Sequence, residues 1–300
     1  MTKTTDIGFL GLGRMGAAIA ERLLGKAIRV HVYDTSAAAL KPFRDGGAVV
    51  HESPKAVADA APIVFACLPG QQVSLDVALG PLGVIQGSAI RIYVEMSTIG
   101  KETIEGIAAG LSAKNIVTVD APVTGGPPVA RSGNLTLLVS GTPAALDELQ
   151  PFLALMGRNI HTLGDKPGMG QAMKVVNNLI MAANVVVASE GLAFGAKAGL
   201  DAGQMLRILR DGTGQSFAAC EIVERAVRGT FDYGAALSIL DKDTALGLQE
   251  AGALGLTMPV IDQARKTWHE AYEAGWGDKD FTAILAFIEQ ANGTLVRAAK

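Results

Sequence analysis

Features that define other classes of protein are scarce in this 300-residue chain. It has two cysteines, Cys67 and Cys220, which are too few for a disulfide framework. It has no Cys-x-x-Cys pair and no Cys/His cluster with the spacing of a zinc site. We therefore expect a reducing, cytoplasmic setting and no bound metal.

Long runs of one kind of residue are also missing. Lys and Arg are scattered and the formal net charge is −3, which argues against a protein that binds nucleic acid through phosphate contacts. The first six residues are polar and lack the layout of a signal peptide. The longest apolar stretch, Leu179–Ala188, is interrupted by Asn184 and falls short of the ~20 residues that span a bilayer. It predicts a buried helix and no membrane partner.

The composition that is present is typical of an α/β enzyme, with 49% hydrophobic residues and 36 glycines. In the first half, short uninterrupted apolar runs alternate with helical patterns, which predicts a parallel sheet covered on both faces. This is a Rossmann-type, doubly wound architecture. The predicted strands are Ile7–Leu10, Arg29–Tyr33, Ile63–Leu68, Ile92–Glu95, Ile116–Val119, Leu135–Ser140 and Asn159–Leu163. The predicted helices between them include Met15–Leu24, Ser36–Arg44 and Ala144–Met156.

The pattern changes after Gly164, where the turn-rich stretch Asp165–Gly168 marks a domain boundary. A helix of roughly 27 residues follows, from Gln171 to about Ala198. Further helices are predicted at Ala202–Leu209, Phe217–Val227, Thr244–Leu254, Val260–Ala274 and Thr282–Gln290. We expect two domains, residues 1–165 with the sheet and residues 166–300 all-α, joined by the long helix.

A dinucleotide fingerprint, Gly11-Leu-Gly13-Arg-Met-Gly16, follows the first predicted strand and opens a helix. Gly11 permits the tight turn, Gly13 lets a pyrophosphate approach the backbone, and Gly16 lets helix and strand pack closely. The helix N-terminus offers N–H groups to the phosphates. The expected cofactor contacts here are Gly11, Leu12, Gly13, Arg14, Met15 and Gly16. A Gly-rich turn without a ligand is the alternative.

Asp34 ends the second predicted strand, 18 residues after Gly16. A carboxylate at this position accepts hydrogen bonds from the ribose hydroxyls of NAD and repels the 2′-phosphate of NADP. The next residues are Thr35 and Ser36, with no Arg to hold a phosphate. We therefore expect NAD rather than NADP; an ordinary helix N-cap is the alternative for Asp34.

Two further segments follow predicted strands, whose carboxyl ends form the ligand crevice of such sheets. Leu68-Pro69 and Ser97-Thr98 are therefore candidate walls of the cofactor site. The alternatives are that Pro69 only ends its strand and that Ser97 caps a helix beginning near Lys101.

The segment Asp120-Ala-Pro-Val-Thr124-Gly125-Gly126 also follows an apolar strand. Successive backbone N–H groups beside glycines can cradle an anion, and the Thr124 hydroxyl adds a donor. We expect a substrate carboxylate to bind here, with a simple Gly-Gly-Pro-Pro loop as the alternative.

Lys174 and Asn178 lie one turn apart on the predicted long helix, so their side chains point to the same side. Lys174 is flanked by Met173, Val175 and Val176, which predicts a half-buried amine able to exchange protons near neutrality. Lys242 is predicted to open a later helix, where it could reach cofactor or substrate. A solvated lysine is the alternative for either.

Together these segments resemble the β-hydroxyacid dehydrogenase family over essentially the whole chain. The carrying motifs are the stretch from Gly8 to Gly16, the stretch from Asp120 to Gly126, and Gly168-x-Gly170-x-x-x-Lys174-x-x-x-Asn178. The resemblance implies hydride transfer between NAD(H) and a small 3-hydroxy acid or its semialdehyde, in a homodimer or homotetramer.

The resemblance also implies roles for single residues. Lys174 would be the general acid/base, Asn178 would orient the substrate, and Thr124, Gly125 and Gly126 would hold its carboxylate. Thr98 would approach the substrate or nicotinamide, and Lys242 the cofactor. The chain departs from the family's pattern where Thr124 replaces a Ser, Thr244 a Leu and Ala235 an aromatic residue, with Phe231 close by. An imine reductase and a catalytically silent NAD-binding protein are the rival functions; Lys174 argues against both.

Overall fold

The computed structural model describes residues 4–298. The chain divides into two compact units, Met1–Lys174 and Val175–Lys300. The division falls inside one long helix, further along the chain than the turn at residues 165–168 where the sequence places its boundary. We call these the sheet unit and the helical unit.

Among the described residues, the sheet unit is built on nine strands. They are β1 (Thr5–Leu10), β2 (Ile28–Tyr33), β3 (Val49–Val50), β4 (Ile63–Ala66), β5 (Ile92–Glu95), β6 (Val117–Asp120), β7 (Val123–Thr124), β8 (Leu135–Ser140) and β9 (Gly157–Gly164). Their order is 3-2-1-4-5-6-8-7, with β9 paired to β8. The parallel part, 3-2-1-4-5-6, is the order of dinucleotide-binding sheets. The predicted Rossmann-type fold is confirmed.

The expectation of a parallel sheet is wrong for one edge. Strand β8 runs antiparallel to both β6 and β7, although it is parallel to β9. A parallel connection needs a crossover of about a dozen or more residues. The link from Thr124 to Leu135 is shorter than that, whereas the link from β8 to β9 carries a full helix.

Helices cover both faces of this sheet. They are α1 (Arg14–Ala20), α2 (Ala37–Asp45), α3 (Pro54–Ala60), α4 (Gln71–Leu79), α5 (Lys101–Ser112), α6 (Pro127–Arg131) and α7 (Pro143–Met156). Successive strand residues enter opposite cores: Phe9 and Phe65 pack on one side, Leu10 and Val64 on the other. Burial on both faces explains why the strands read as continuous apolar runs.

The second half of the chain is helical, as predicted. Its helices are α8 (Met169–Lys197), which begins in the sheet unit, then α9 (Ala202–Asp211), α10 (Val223–Val227), α11 (Leu237–Ala253), α12 (Pro259–Ala271) and α13 (Ile284–Asn292). π-Helical turns occupy Ala218–Ile222, inside a segment predicted as regular helix, and Tyr272–Trp276, which extends past the predicted end at Ala274. Trp268 and Phe281 are fully buried in this unit's core.

Helix α8 is long and apolar enough, by length and composition, to cross a membrane, and half of its most apolar window is buried within the protein. Ala182 and Val185 are fully buried and belong to the core of the helical unit. These contacts are those of a core helix in a folded domain, which is what the sequence predicts.

One predicted helix boundary is wrong, and it concerns a candidate site residue. Helix α11 begins at Leu237 instead of Thr244, so Lys242 lies in its interior and does not open it. Leu237 and Leu240 are buried in its first turn, and the Leu237 N–H donates to the carbonyl of Lys279. These tertiary contacts extend the helix upstream of the segment with the clearest helical pattern.

Candidate active site

The Gly-rich loop joins β1 to α1 in the sheet unit. Gly11 has a φ of +86°, and a Cβ there would collide with the carbonyl oxygen of Cys67. A Cβ on Gly16 would collide with the carbonyl oxygen of Gly11. Glycine at these two positions lets the loop, β4 and α1 approach one another as the fingerprint requires.

Gly13 differs from its two neighbours in the motif. A Cβ built on it would meet no described atom within 4 Å, so its surroundings within the chain are open. Gly13 is the N-cap of α1 and has no side chain with which to cap that helix end. An open backbone position at a helix N-terminus suits a pyrophosphate. The loop therefore fits NAD(P), with Leu12 in the turn and Arg14 and Met15 in the first helical turn.

Asp34 lies directly after β2 and is partly buried. Its Oδ2 accepts the Leu12 N–H at 2.6 Å, and its Oδ1 accepts the Ser36 N–H at 2.7 Å. The N-cap of α2 is Ser36, whose hydroxyl accepts the Ala39 N–H, so the alternative of Asp34 as N-cap is wrong. The carboxylate is thereby tied to the cofactor loop, and each oxygen keeps a further lone pair for a ligand hydroxyl.

The segments after β4 and β5 are joined by one serine. The Ser97 hydroxyl accepts the Leu68 N–H at 2.6 Å. It does not cap a helix, because the N-cap of α5 is Gly100. Strand β4 ends at Ala66, so Pro69 lies in the following loop and does not end the strand. Leu68, Pro69 and Thr98 therefore belong to two loops that are held together.

Glu95, the last residue of β5, is fully buried behind these loops. It accepts the Ser97 N–H at 2.9 Å and the Tyr93 hydroxyl at 2.8 Å. Burial raises the pKa of Glu95, and these hydrogen bonds oppose the rise. Burial, with the Glu95 carboxyl beside it, also raises the pKa of Tyr93 well above its ordinary value.

Cys67 links this network to Lys174. Burial raises the pKa of the Cys67 thiol to about 12, the Glu95 charge adds to the rise, and the Lys174 charge opposes it. Lys174 is partly buried on α8. The backbone of Cys67, directly after β4, packs against Gly11, so this thiol lies beside the Gly-rich loop.

The expected substrate loop follows β6. Thr124 ends β7 and pairs with Thr136 of β8. Gly125 has a φ of +121°, and Gly126 is the N-cap of α6 with no side-chain partner at that cap. The backbone conformation is one that glycine favours and that can present successive N–H groups to an anion.

The helical unit holds a separate polar cluster. The Asn178 amide donates to Asp243 Oδ2 at 2.6 Å, and Lys242 Nζ donates to Asp243 Oδ1 at 2.7 Å. The Asn177 side-chain amide donates to Asn178 Oδ1 at 3.0 Å. Asp243 is only 2% exposed. A buried carboxylate needs a partner of opposite charge at close range, and Lys242 supplies one.

Comparison with known proteins places this geometry in a family. Residues 6–164 match the NAD-binding domain of 6-phosphogluconate dehydrogenase, and residues 168–288 match the NAD-binding domain of NADP-dependent 3-hydroxyisobutyrate dehydrogenase. The chain is 33% identical over 298 residues to 2-(hydroxymethyl)glutarate dehydrogenase of Eubacterium barkeri, covering 99% of each protein. The chain belongs to the β-hydroxyacid dehydrogenase family.

Solved structures of this family have the same fold. A 3-hydroxyisobutyrate dehydrogenase from Salmonella typhimurium superposes with a TM-score of 0.84 at 26% identity, over 94% of this chain and 99% of that one. Psf3, solved in complex with NADP+ and 2-OPP, gives 0.85 at 28%, with 94% and 99% coverage. An imine reductase from Pseudomonas is similar at 20% identity, with 95% and 99% coverage and a TM-score of 0.63, and shows the fold alone. The chain is accordingly an NAD(P)-dependent oxidoreductase of the β-hydroxyacid dehydrogenase family.

Within each unit, the structure gathers site residues that are far apart in the sequence. The sheet unit holds the Gly-rich loop, Asp34, Leu68, Pro69, Thr98, the loop from Thr124 to Gly126, and Lys174. The helical unit holds Asn178 and Lys242. The contribution of each to binding or catalysis stays a prediction.

Sequence reasoning missed the buried polar residues that support these positions. They are Glu95, Asp120, Ser140, Gln171 and Asp243. A signal was available: Glu95, Asp120 and Ser140 end apolar strands, where a polar residue faces the ligand edge of the sheet. Gln171 lies inside the Gly-x-Gly-x-x-x-Lys motif at a position read as unspecified.

Proposed function

We propose that this chain interconverts a small 3-hydroxy acid and its semialdehyde with NAD(H), with Lys174 as the general acid/base. The observation that carries the proposal is that Lys174 is partly buried on α8, one helical turn after Gly170, whose backbone packs against Asp120 and Leu138 at the ligand edge of the sheet. The relatives that are named 3-hydroxyisobutyrate and 2-(hydroxymethyl)glutarate dehydrogenases support a hydroxy acid as substrate.

The bound nicotinamide would accept or supply the hydride. Gly11, Leu12, Gly13, Arg14, Met15 and Gly16 would hold the pyrophosphate. Asp34 would accept the ribose hydroxyls, which favours NAD over NADP because its carboxylate would repel a 2′-phosphate. Leu68, Pro69 and Thr98 would line the nicotinamide side.

Lys174 would move the proton. As a neutral amine it would take the proton of the substrate hydroxyl in the oxidative direction. As an ammonium it would protonate the developing alkoxide in the reductive direction. Positioned proton transfer of this kind typically contributes about 10²–10⁴-fold to the rate.

The substrate carboxylate would bind to the loop of Thr124, Gly125 and Gly126, through backbone N–H groups and the threonine hydroxyl. Asn178 would orient the substrate, and Lys242 would contact the cofactor. Asp243 supports these two assignments, because its carboxylate fixes both side chains in the helical unit.

We also propose that the chain forms a homodimer or homotetramer. Val176, Ile180, Val187 and Phe194 recur along one helix, α8, and Phe194 is 77% exposed. A second copy of the chain would cover this apolar surface. A monomer mass in solution at micromolar concentration would contradict this assembly. The free thiols of Cys67 and Cys220 favour a reducing compartment such as the cytoplasm.

The central test compares Lys174→Ala with Lys166→Ala, a control at an exposed lysine outside the site. We expect Lys174→Ala to lower kcat for a 3-hydroxy acid by at least about 10²-fold and to leave the Kd of NADH nearly unchanged. Lys174→Arg should not restore turnover, because a guanidinium keeps its proton at working pH. Near-wild-type kcat in Lys174→Ala would refute the assignment and make Lys242 the next candidate.

A further inference from the structure

The end of β6 carries a buried carboxylate for which the proposed chemistry has no direct use. Asp120 is fully buried. Its Oδ1 accepts the Ser140 hydroxyl at 2.5 Å and the Gly168 N–H at 3.0 Å, and its Oδ2 accepts the Gln171 N–H at 2.8 Å. Burial raises the pKa of Asp120, and these three hydrogen bonds oppose the rise; two of the donors come from the backbone at the start of α8.

Ser140 completes this arrangement from the neighbouring strand. It pairs with Asp120 across the β6–β8 ladder and is itself fully buried. Its hydroxyl donates to Asp120 and accepts the Gly170 N–H at 2.9 Å. Two side chains of the sheet therefore bind three of the backbone N–H groups at this helix start, those of Gly168, Gly170 and Gln171.

Gly168 and Gly170, the two glycines of the motif, allow the start of α8 to pack this closely against the sheet. Gly168 has a φ of +120°, a conformation that favours glycine. A Cβ on Gly170 would collide with the carbonyl oxygen of Leu138 and lie 2.7 Å from Asp120 Oδ2. The first turn of α8 therefore lies directly on the ends of β6 and β8, and Lys174 follows one helical turn later.

Gln171 connects the same turn to the loop that contains Thr98. Its Oε1 accepts the Ile99 and Gly100 N–H groups at 3.0 and 3.1 Å, and its Nε2 donates to the Ser97 carbonyl at 2.8 Å. Gln171 is fully buried, so these bonds are not exchanged readily with water. The helix start is held from two sides within the sheet unit.

We propose that Asp120 and Ser140 are positioning residues that set the location of Lys174 by fixing the first turn of α8. The inference rests on the proposed function, because it requires Lys174 to transfer the proton. Asp120 also begins the segment that leads to Thr124 and Gly126, so one carboxylate would hold the proton donor and the substrate loop in a common frame. A displacement of about 1 Å at a reacting group can cost about 10²-fold in rate.

The test compares two Ser→Ala substitutions that each remove a hydroxyl accepting a first-turn N–H. Ser140→Ala breaks the bond to Gly170, and the control Ser53→Ala breaks the matching bond to Ala56 in the distant helix α3. We expect both to lower the midpoint of thermal unfolding. Only Ser140→Ala should lower kcat, by about tenfold, with the Kd of NADH unchanged.

A double-mutant cycle with Lys174→Ala shows whether the loss passes through Lys174. If it does, adding Ser140→Ala to Lys174→Ala should change the residual kcat by less than about twofold. The same tenfold loss in both backgrounds would overturn the positioning role and leave the role of Lys174 intact. Unchanged kcat in Ser140→Ala alone would overturn it as well.

The proposed function fails by a different result, namely a wild-type kcat in Lys174→Ala. If Ser140→Ala does not fold, Ser140→Cys keeps a weaker donor and acceptor in nearly the same volume. Ser140→Cys should then have a kcat below the wild-type value. In the Lys174→Ala background, the same substitution should change the residual kcat by less than about twofold. Full wild-type kcat in Ser140→Cys and in Asp120→Asn together would overturn the inference.

Discussion

The two units use their buried polar residues differently. In the sheet unit, the acidic and polar side chains of Glu95, Asp120 and Gln171 are fully buried. They form hydrogen bonds with the backbone of loops and of the start of α8. In the helical unit, apolar groups such as Trp268 fill the core, and the buried Ser189 hydroxyl donates to a carbonyl of its own helix. Strands that end in loops leave backbone groups that need partners, whereas helices satisfy most of theirs internally.

This difference indicates where substitutions should change binding or rate and where they should change stability. A ligand edge built from strand ends collects polar groups that hold loops in place, and small changes there should alter binding or rate. An apolar helical core should instead respond in stability. Asn178 and Asp243 differ from this pattern in the helical unit, because their buried side chains bond to each other across 65 residues of the chain.

The largest expected effect is on stability, in the helical unit. Trp268 is fully buried and donates to the Ala182 carbonyl, so Trp268→Ala should cost about 3–5 kcal/mol of unfolding free energy. Chemical denaturation followed by circular dichroism measures this cost. Trp276→Ala is the matched control and should cost less, because Trp276 lies partly exposed under Lys279. Equal losses of unfolding free energy in the two variants would contradict the special contribution of the buried helical core.

The next effect is on binding, in the sheet unit. A Cβ at Gly13 meets no described protein atom, so Gly13→Ala should fold normally yet weaken NADH binding at least about tenfold by intruding on the pyrophosphate. Gly106→Ala is the control, since Gly106 on α5 is equally open within the chain. Titration of NADH fluorescence measures both. Wild-type affinity in Gly13→Ala would refute the assigned phosphate site.

A smaller effect concerns cofactor choice at the end of β2. The wild-type protein should have a higher kcat/KM with NAD than with NADP, and Asp34→Ser should narrow this ratio about tenfold by removing the repelling charge. Asp45→Ser, at an exposed aspartate paired with Lys41, should leave the ratio unchanged. A tenfold or greater preference of the wild type for NADP would show that Asp34 does not select the cofactor.

The smallest effect is a pH dependence of stability in the sheet unit. Burial lowers the pKa of His51, and the neighbouring His31, 2.9 Å away between ring nitrogens, lowers it further. The folded state therefore binds a proton less readily than the unfolded state, and unfolding free energy should fall as pH drops below about 6.5. His31 also contacts Asp6, and Asp59 opposes the shift.

This pH dependence is measured by urea denaturation at pH 5 and pH 7. His51→Gln should reduce the difference between the two values, because it removes the group that takes up the proton. His161→Gln, at an exposed histidine on β9, is the control and should not change the difference. If His51→Gln leaves the difference in unfolding free energy between pH 5 and pH 7 unchanged, another group takes up the proton.

The sequence by itself determined the Rossmann-type architecture and supplied the candidate site residues, whose roles stay predictions. Continuous apolar runs fixed the strands because both faces of the sheet are buried, and the Gly-x-Gly-x-x-Gly spacing marked the loop because only glycine fits at Gly11 and Gly16. The long apolar periodicity marked α8 to within a few residues.

Only the tertiary structure decided the rest, because those features depend on partners distant in sequence. The antiparallel placement of β8 follows from a short connection, and the early start of α11 follows from the bond of Leu237 to Lys279. The bonds of Asp120 and Ser140 to the first turn of α8 join segments from three parts of the chain. Local pattern cannot reveal such bonds, since burial of a polar residue is decided by what packs over it.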